Sequence, residues 1–373
     1  MEQENTKPKE KEGFFQWLIT NIGRLALSVA IPGMTFLILR AGFLFLRDND
    51  APQWVTAIVA ILWGVGGIVA FFFIFNWLIE MLPPKWKRRF TPFVFVGPAM
   101  AILIWYLIVP VGRTIYLSLL DANSEVFVGL ENYVYAFTND AMVRAFRNNL
   151  IWLVLGTGSC IVFGMIIAVL ADRAPAWIET LVKTLVFLPM AISMVGAGVI
   201  WLFVYSFRPR PPQIGLLNAI LNFFGADPVP FMFNQPWNNV FLIIIMVWIQ
   251  TGYAMVIFSA AIKGIPEELK EAARIDGANE FQVFFRIMIP YIRGTLVTVS
   301  TTIIIFTLKV FDIVFTMTGG NYGTEVVANQ FYIQRWVAFQ NGRGSAIAIV
   351  LLLMIIPVMI YNLVQFGSQT EAF

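Results

Sequence analysis

The stretch VFLIIIMVWIQTGYAMVIFSAAI, residues 240–262, contains no charged side chain, yet soon afterwards comes PEELKEAARIDGANEFQVFFRIMIP, residues 266–290. The first is long enough to cross the hydrocarbon core of a bilayer as a helix, which takes about 20 apolar residues. The second carries Glu267, Glu268, Lys270, Glu271, Arg274, Asp276, Glu280 and Arg286 in a chain that is only 13% charged overall.

Further apolar runs flank this pair. They fall at 25–46, 55–79, 93–118, 149–171, 181–206, 295–317 and 346–366, giving eight candidate spans. The first is interrupted by Pro32-Gly33 and bracketed by Arg24 and Arg40. Of the 373 residues, 59% are hydrophobic and 15% aromatic, with mean hydropathy +0.76. Soluble domains run at about 45–50% apolar and 25% charged, so the expected fold class is all-α, a polytopic membrane protein of about eight transmembrane helices. The expected organisation is a tail at 1–20, a helix pair with a basic loop at 21–92, a six-helix core at 93–366 and a short tail at 367–373. The charged loop spans 263–294.

The available chemistry is narrow. A net charge of +3 implies no large nucleic-acid footprint. Histidine is absent, which removes the commonest general base and metal ligand. The single cysteine, Cys160, lies in an apolar run and reads as a small buried hydrophobe. The chain has no G-x-x-x-x-G-K-[ST] phosphate loop. These features argue against an enzyme, and no cofactor is expected. The opening MEQENTKPKEKEG mixes Glu with Lys, precedes no small-residue cleavage site and reads as a cytoplasmic tail rather than a signal peptide.

Orientation follows from the basic residues of the short loops. With the N-terminus in the cytoplasm, the inner segments hold Lys7, Lys9, Lys11, Arg24, Lys85, Lys87, Arg88, Arg89, Arg173, Lys183, Lys263, Lys270, Arg274, Arg286 and Arg293. The outer segments hold only Arg47, Arg144, Arg147, Arg208, Arg210, Arg335 and Arg343. The charged loop is therefore expected on the cytoplasmic side. The outer loops at 119–148 and 207–239 have room for short helices.

Within the charged loop, Pro266 suits the first position of a helix. Leu269, Ala272, Ala273 and Asp276 share a face at i, i+3, i+4 and i+7, and Glu271 is spaced to pair with Arg274. Asp276-Gly277 ends that helix, because glycine adopts positive φ readily. Asn279 is placed to cap a second helix bearing Phe281, Phe284, Phe285 and Met288, and Pro290 is expected to stop it. Two uses compete. The hairpin rests on lipid headgroups, or it docks into a groove of another protein. Three Glu against one Lys and one Arg on the first helix favour docking over an anionic leaflet.

EAARIDGANEFQVFFRIMIP (271–290) resembles the cytoplasmic EAA loop of permease subunits from binding-protein-dependent ABC importers. The pattern places Glu271, Ala272, Ala273, Gly277, Ile287 and Pro290 in register. FVGLENYVYAF, FRNNLIWLV, FLPMAISMVGAGVIWLFVY, GLLNAIL and FDIVFTMTGG are similar to the sugar branch of that family. QIGLLNAI and the added N-terminal pair lean toward its maltose and α-glucoside group. No large extracytoplasmic domain is inserted near the front, unlike the enteric maltose permease.

That resemblance implies a second homologous permease, two copies of an ATP-hydrolysing subunit and an extracytoplasmic sugar-binding protein as partners, in the bacterial inner membrane. It implies that the loop fits a cleft of the ATPase: Glu271 pairs with a basic group, Ala272 and Ala273 allow close approach, Gly277 gives the turn and Pro290 closes the motif. ATP-driven closure would then switch the spans between inward- and outward-facing states. Maltose, trehalose, other α-glucosides and glucosylglycerol are all candidate cargoes.

Polar groups within spans mark a pathway, being expensive in lipid. Gln250, Thr251 and Tyr253 lie near the middle of 240–262. Thr307 and Lys309 lie near the middle of 295–317, with Phe306 beside them and Asp312 a turn away. By the resemblance, Ile249, Gln250, Tyr253, Phe306 and Thr307 face the sugar. The same groups also suit hydrogen bonds between helices. Lys309 and Asp312 either neutralise one another or serve as the ion relay of a secondary transporter or channel.

Overall fold

A computed structural model describes residues 14–48, 51–80 and 84–370. Its helices include α1 (Phe14–Asp48), α2 (Gln53–Glu80), α3 (Lys87–Leu117), α4 (Asp140–Asp172), α5 (Ala176–Ala191) and α6 (Met194–Val204). Beyond them lie α7 (Trp237–Lys263), α8 (Glu267–Ile275), α9 (Glu280–Tyr291), α10 (Arg293–Leu308), α11 (Asp312–Met317) and α12 (Asn341–Thr370). Among the described residues, six helices are long and apolar enough to cross a membrane, or eight if each of two bent pairs is one span.

Contacts divide the chain into two compact units, Met1–Pro110 and Val111–Phe373. In the first, α1 and α2 meet where the Trp63 indole covers Gly42. Phe72 and Phe95 stack at 6.1 Å between ring centroids. The outward faces of this unit are apolar and exposed, including Phe36, Leu62 and Phe73, as suits a surface in lipid. Contrary to expectation, α1 runs unbroken through Pro32-Gly33, and it already includes residues 14–20 of the expected tail. Lys7, Lys9 and Lys11 lie outside the described residues.

The second unit is organised by close helix approaches at glycines, the usual device where helices pack without a hydrophobic driving force. A Cβ on Gly164 of α4 would come within 2.5 Å of the Ala254 Cβ of α7. One on Gly252 of α7 would overlap the Val186 carbonyl of α5. Gly198 of α6 faces Thr316 of α11 in the same way, at 2.9 Å. Around these seams lies a core that includes Trp152, Leu242, Met246, Phe258 and Ile303, all fully buried.

Two spans are not the straight helices expected. Residues 181–206 break between α5 and α6 with a bend of 103°. Pro189 sits in a tightened turn, Ile192 is extended, and the Ser193 hydroxyl accepts from the Gly196 N–H at 3.1 Å to start α6. The expected span 295–317 ends as a helix at Leu308. Lys309 and Val310 N–H groups bond back to Phe306 and Thr307, Phe311 leaves helical geometry, and α11 begins at Asp312.

Candidate functional site

The charged loop forms the helix–turn–helix expected. Pro266 is the cap residue, one position before the helix rather than its first residue. Gly277 has φ +86°. Its N–H bonds Arg274 O at 3.1 Å, and the next N–H, of Ala278, reaches back to Ala273 O at 3.0 Å. This is a Schellman closure. The Asn279 side chain accepts from Gln282 N at 2.9 Å while Gln282 Oε1 accepts from Asn279 N at 2.8 Å, a full capping box.

Pro290 does not stop α9. A widened turn lets the Ile289 N–H reach Phe284 O, the helix passes through Pro290, and the 74° bend to α10 comes after Tyr291. The face expected at Leu269, Ala272, Ala273 and Asp276 is divided. Ala273 and Ala278 pack onto the chain's own core, while Ala272 and Glu271 are exposed. Beside them Ile275 is 86% exposed and Phe281 77% exposed.

Arg274 does not pair with Glu271. Its Nε donates to Glu280 at 3.0 Å and its Nη1 lies 3.5 Å from Glu267, which also takes Lys270 at 2.7 Å. The bond to Glu280 raises the Arg274 pKa, and the Lys270 ammonium holds Glu267 below the usual carboxylate range. No ion pair involves Glu271 among the described residues, so its carboxylate remains available to a partner.

The membrane residues separate into two groups. Ile249 and Thr307 are fully buried inside this chain's own bundle. The Thr307 hydroxyl bonds the Ile303 carbonyl at 2.8 Å and meets the Thr157 hydroxyl at 3.1 Å, so it serves as an interhelical bond. Gln250 and Thr251 are also buried, and Thr251 Oγ1 has no hydrogen-bond partner among the described residues. Tyr253 is half-buried against the core.

Phe306, Lys309 and Asp312 instead line an open recess of about 260 Å³, together with Met194, Val310, Phe311 and Ile313. The recess lies where both helix breaks meet: Met194 starts α6, and 309–312 join α10 to α11. Broken helices free polar backbone at membrane depth only where it lines a cavity or is buried in protein. No ion pair joins Lys309 to Asp312 among the described residues. Phe311 stacks on Phe315 at 5.0 Å, and both rings touch Tyr332.

Buried asparagines fix a glycine-rich loop at 318–326 that sequence reasoning missed as a structure. Asn148 Nδ2 donates to the Gly323 and Glu325 carbonyls, each at 2.8 Å. Asn238 holds Tyr322 O at 2.8 Å, and Asn149 Oδ1 accepts from Val327 N at 2.9 Å. The signal was the doublets Asn148-Asn149 and Asn238-Asn239, amides placed beside apolar runs where only backbone partners justify them.

The family described as binding-protein-dependent transport system inner membrane component matches residues 160–366. The osmoprotective compounds uptake permease protein GgtC of Synechocystis is 56% identical over 280 residues, covering 74% of this chain and 99% of that one. The alpha-glucoside transport system permease protein AglF of Rhizobium meliloti is 43% identical over 330 residues, covering 83% and 96%. Among solved structures, a bacterial alginate ABC transporter in complex with an alginate pentasaccharide-bound periplasmic protein aligns with TM-score 0.64 at 22% identity. That alignment covers 74% of this chain and 93% of the other, and it establishes the shared fold.

Proposed function

The chain belongs to the inner membrane components of binding-protein-dependent transport systems, the permease subunits of ABC importers, and we propose that its cargo is an α-glucoside or a maltose- or trehalose-like oligosaccharide. The observation that carries this is the 43% identity to the Rhizobium α-glucoside permease along 96% of its length. The ion-relay reading lacks such support. A second cargo, a small osmoprotective solute such as glucosylglycerol, is favoured by the 56% identity to the Synechocystis permease.

In this reading the chain pairs with a second homologous permease, receives sugar from an extracytoplasmic binding protein and takes its driving force from two ATPase subunits. The charged loop docks on the ATPase through Glu271, Ala272 and the exposed Ile275 and Phe281. Gly277 and Pro290 shape the loop, and Ala273 anchors it to the bundle. The sugar passes the recess of Phe306, Lys309 and Asp312. Aromatic rings there offer stacking surfaces, and the cation and anion offer hydrogen bonds to hydroxyls in either direction. Gln250 and Tyr253 join the pathway if α7 turns toward it in another state, while Ile249 and Thr307 support it from behind.

Uptake of labelled trehalose into vesicles holding the assembled complex, with unlabelled maltose and glucosylglycerol as competitors, tests the cargo. Saturable uptake that maltose blocks is expected, with Phe306→Ala raising KM about tenfold, the scale of one lost stacking contact. Competition by glucosylglycerol alone would transfer the assignment to the osmoprotective solute.

Orientation is part of the proposal, since fifteen basic residues against seven favour a cytoplasmic N-terminus and loop. Cys160 is the only cysteine and is fully buried, so single reporter cysteines read cleanly. A cysteine at Asp276 is expected to react with an impermeant maleimide only in inverted vesicles, and one at Asn123 only in right-side-out cells. The reverse pattern would overturn the topology.

A further inference from the structure

We propose that the turn joining α4 to α5 together with the first turn of α5, residues 173–179, is a second hold on the charged loop, with Arg173, Glu179, Lys263 and Glu280 as positioning residues that pass its movement into α5. The proposal rests on the reading of the loop as the ATPase contact. It adds a route other than the covalent helices on either side.

The observation is that this turn is fastened to the loop at two points, the loop's first residue and the head of its second helix. Lys263, the last residue of α7, lies 2.6 Å from Glu179 in the first turn of α5. Glu280, the first residue of α9, is bonded by Arg173, which caps the end of α4. The two pairs have opposite polarity: the turn gives an anion to Lys263 at the start of the loop and a cation to Glu280 at its middle. That arrangement fixes which part of the loop meets which end of the turn.

Each carboxylate is shared. Glu280 accepts from Arg274 of α8 with its other oxygen, at 3.0 Å, so α4, α8 and α9 meet on one side chain. Glu179 also takes Lys183 one turn along α5, and its side chain is only 15% exposed. Isolated surface pairs are weak, but pairs that share an acceptor hold one another in place.

The far end of α5 shows where a displacement would go. Its Val186 carbonyl lies against Gly252 of α7, and past the break at 192–193 Met194 lines the recess. A push on Glu179 is therefore delivered along α5 to the break that borders the recess. The signal for this was absent from the sequence reading, because the partners are 84 and 107 positions apart.

A double-mutant cycle on the full complex in vesicles tests it, using Glu179→Gln, Lys263→Gln and the pair, then Arg173→Gln, Glu280→Gln and their pair. Complex yield, ATP hydrolysis and sugar uptake are read together. Each single change is expected to lower sugar moved per ATP about fivefold, the scale of one such ion pair, with yield unchanged. Each double is expected to lose no more than its singles, the mark of a shared interaction.

Singles that keep uptake per ATP within twofold of wild type would overturn the proposal, and so would losses that multiply in the doubles. A fall in uptake that only follows complex yield would reduce the pairs to folding contacts and overturn it as well. A wild-type complex without ATP-driven uptake would overturn the transport reading itself, which the unchanged wild type in the other outcomes keeps separate.

Discussion

Gly252→Val is expected to lower the stability of the second unit by about 3 kcal/mol or more, at the upper end of what overpacking costs in a close-packed interior. The Cβ would overlap the Val186 carbonyl and come within 2.8 Å of the Phe187 Cα. Both are backbone, so no side-chain rotation relieves the clash. The helices α5 and α7 would have to move apart, and α7 is also pressed onto α4 at Gly164 and Ala254. The result would be read as the apparent melting temperature and the monodisperse yield of the purified chain. Gly158→Val is the control, because nothing lies within 4 Å of its Cβ position and the residue sits in the same unit. A Gly252→Val protein that melts with the wild type would show that α5 and α7 do not meet at this seam.

That seam belongs to the part of the fold the sequence does not display. Six of the eight expected spans were legible as single long helices, because length and apolarity decide whether a segment is able to cross a bilayer. Where helices break was not. Residues 188–198, LPMAISMVGAG, are as apolar as the helices around them, and the break depends on the Ser193 cap and an extended Ile192. The same holds at 309–311, where a helical period through Lys309 and Asp312 suggested a mutual pair, and the end of α10 left both side chains to the recess instead.

In the charged loop, local chemistry was legible and long-range chemistry was not. Gly277 and Asn279 behaved as a stop and a cap because those properties lie within a few residues. The i, i+3 rule assigned Arg274 to Glu271, but the guanidinium found Glu280, brought near by the glycine turn. An exposed i, i+3 pair is worth only about 0.2–0.5 kcal/mol, so a tertiary partner easily displaces it. Ala272 and Ala273 looked equivalent in sequence, and only the packing of Ala273 on the core separates it from the exposed Ala272.

The turn at Gly277 carries the second large expectation. Gly277→Val is expected to reduce ATP-driven uptake more than tenfold while leaving membrane insertion intact. At φ +86° an L-residue is disfavoured by about 1–2 kcal/mol, and a β-branched one by more. Nothing lies within 4 Å of the added Cβ, so the penalty comes from the backbone alone. It would be relieved by opening the Schellman closure, which frees Ala278 from Ala273 O and lets α8 swing on its covalent ends. Glu271 and Ala272 would then no longer be presented at one angle. The spans lie outside this turn, so their insertion does not depend on it. Gly277→Asn is expected to keep most of the uptake, since asparagine tolerates the left-handed region better than other residues with a Cβ. Gly277→Ala should fall between the two. An uptake order of Asn, then Ala, then Val at equal membrane levels would tie transport to the dihedral angle of one residue. Normal uptake in the valine variant would show that the angle of α8 does not matter to the importer.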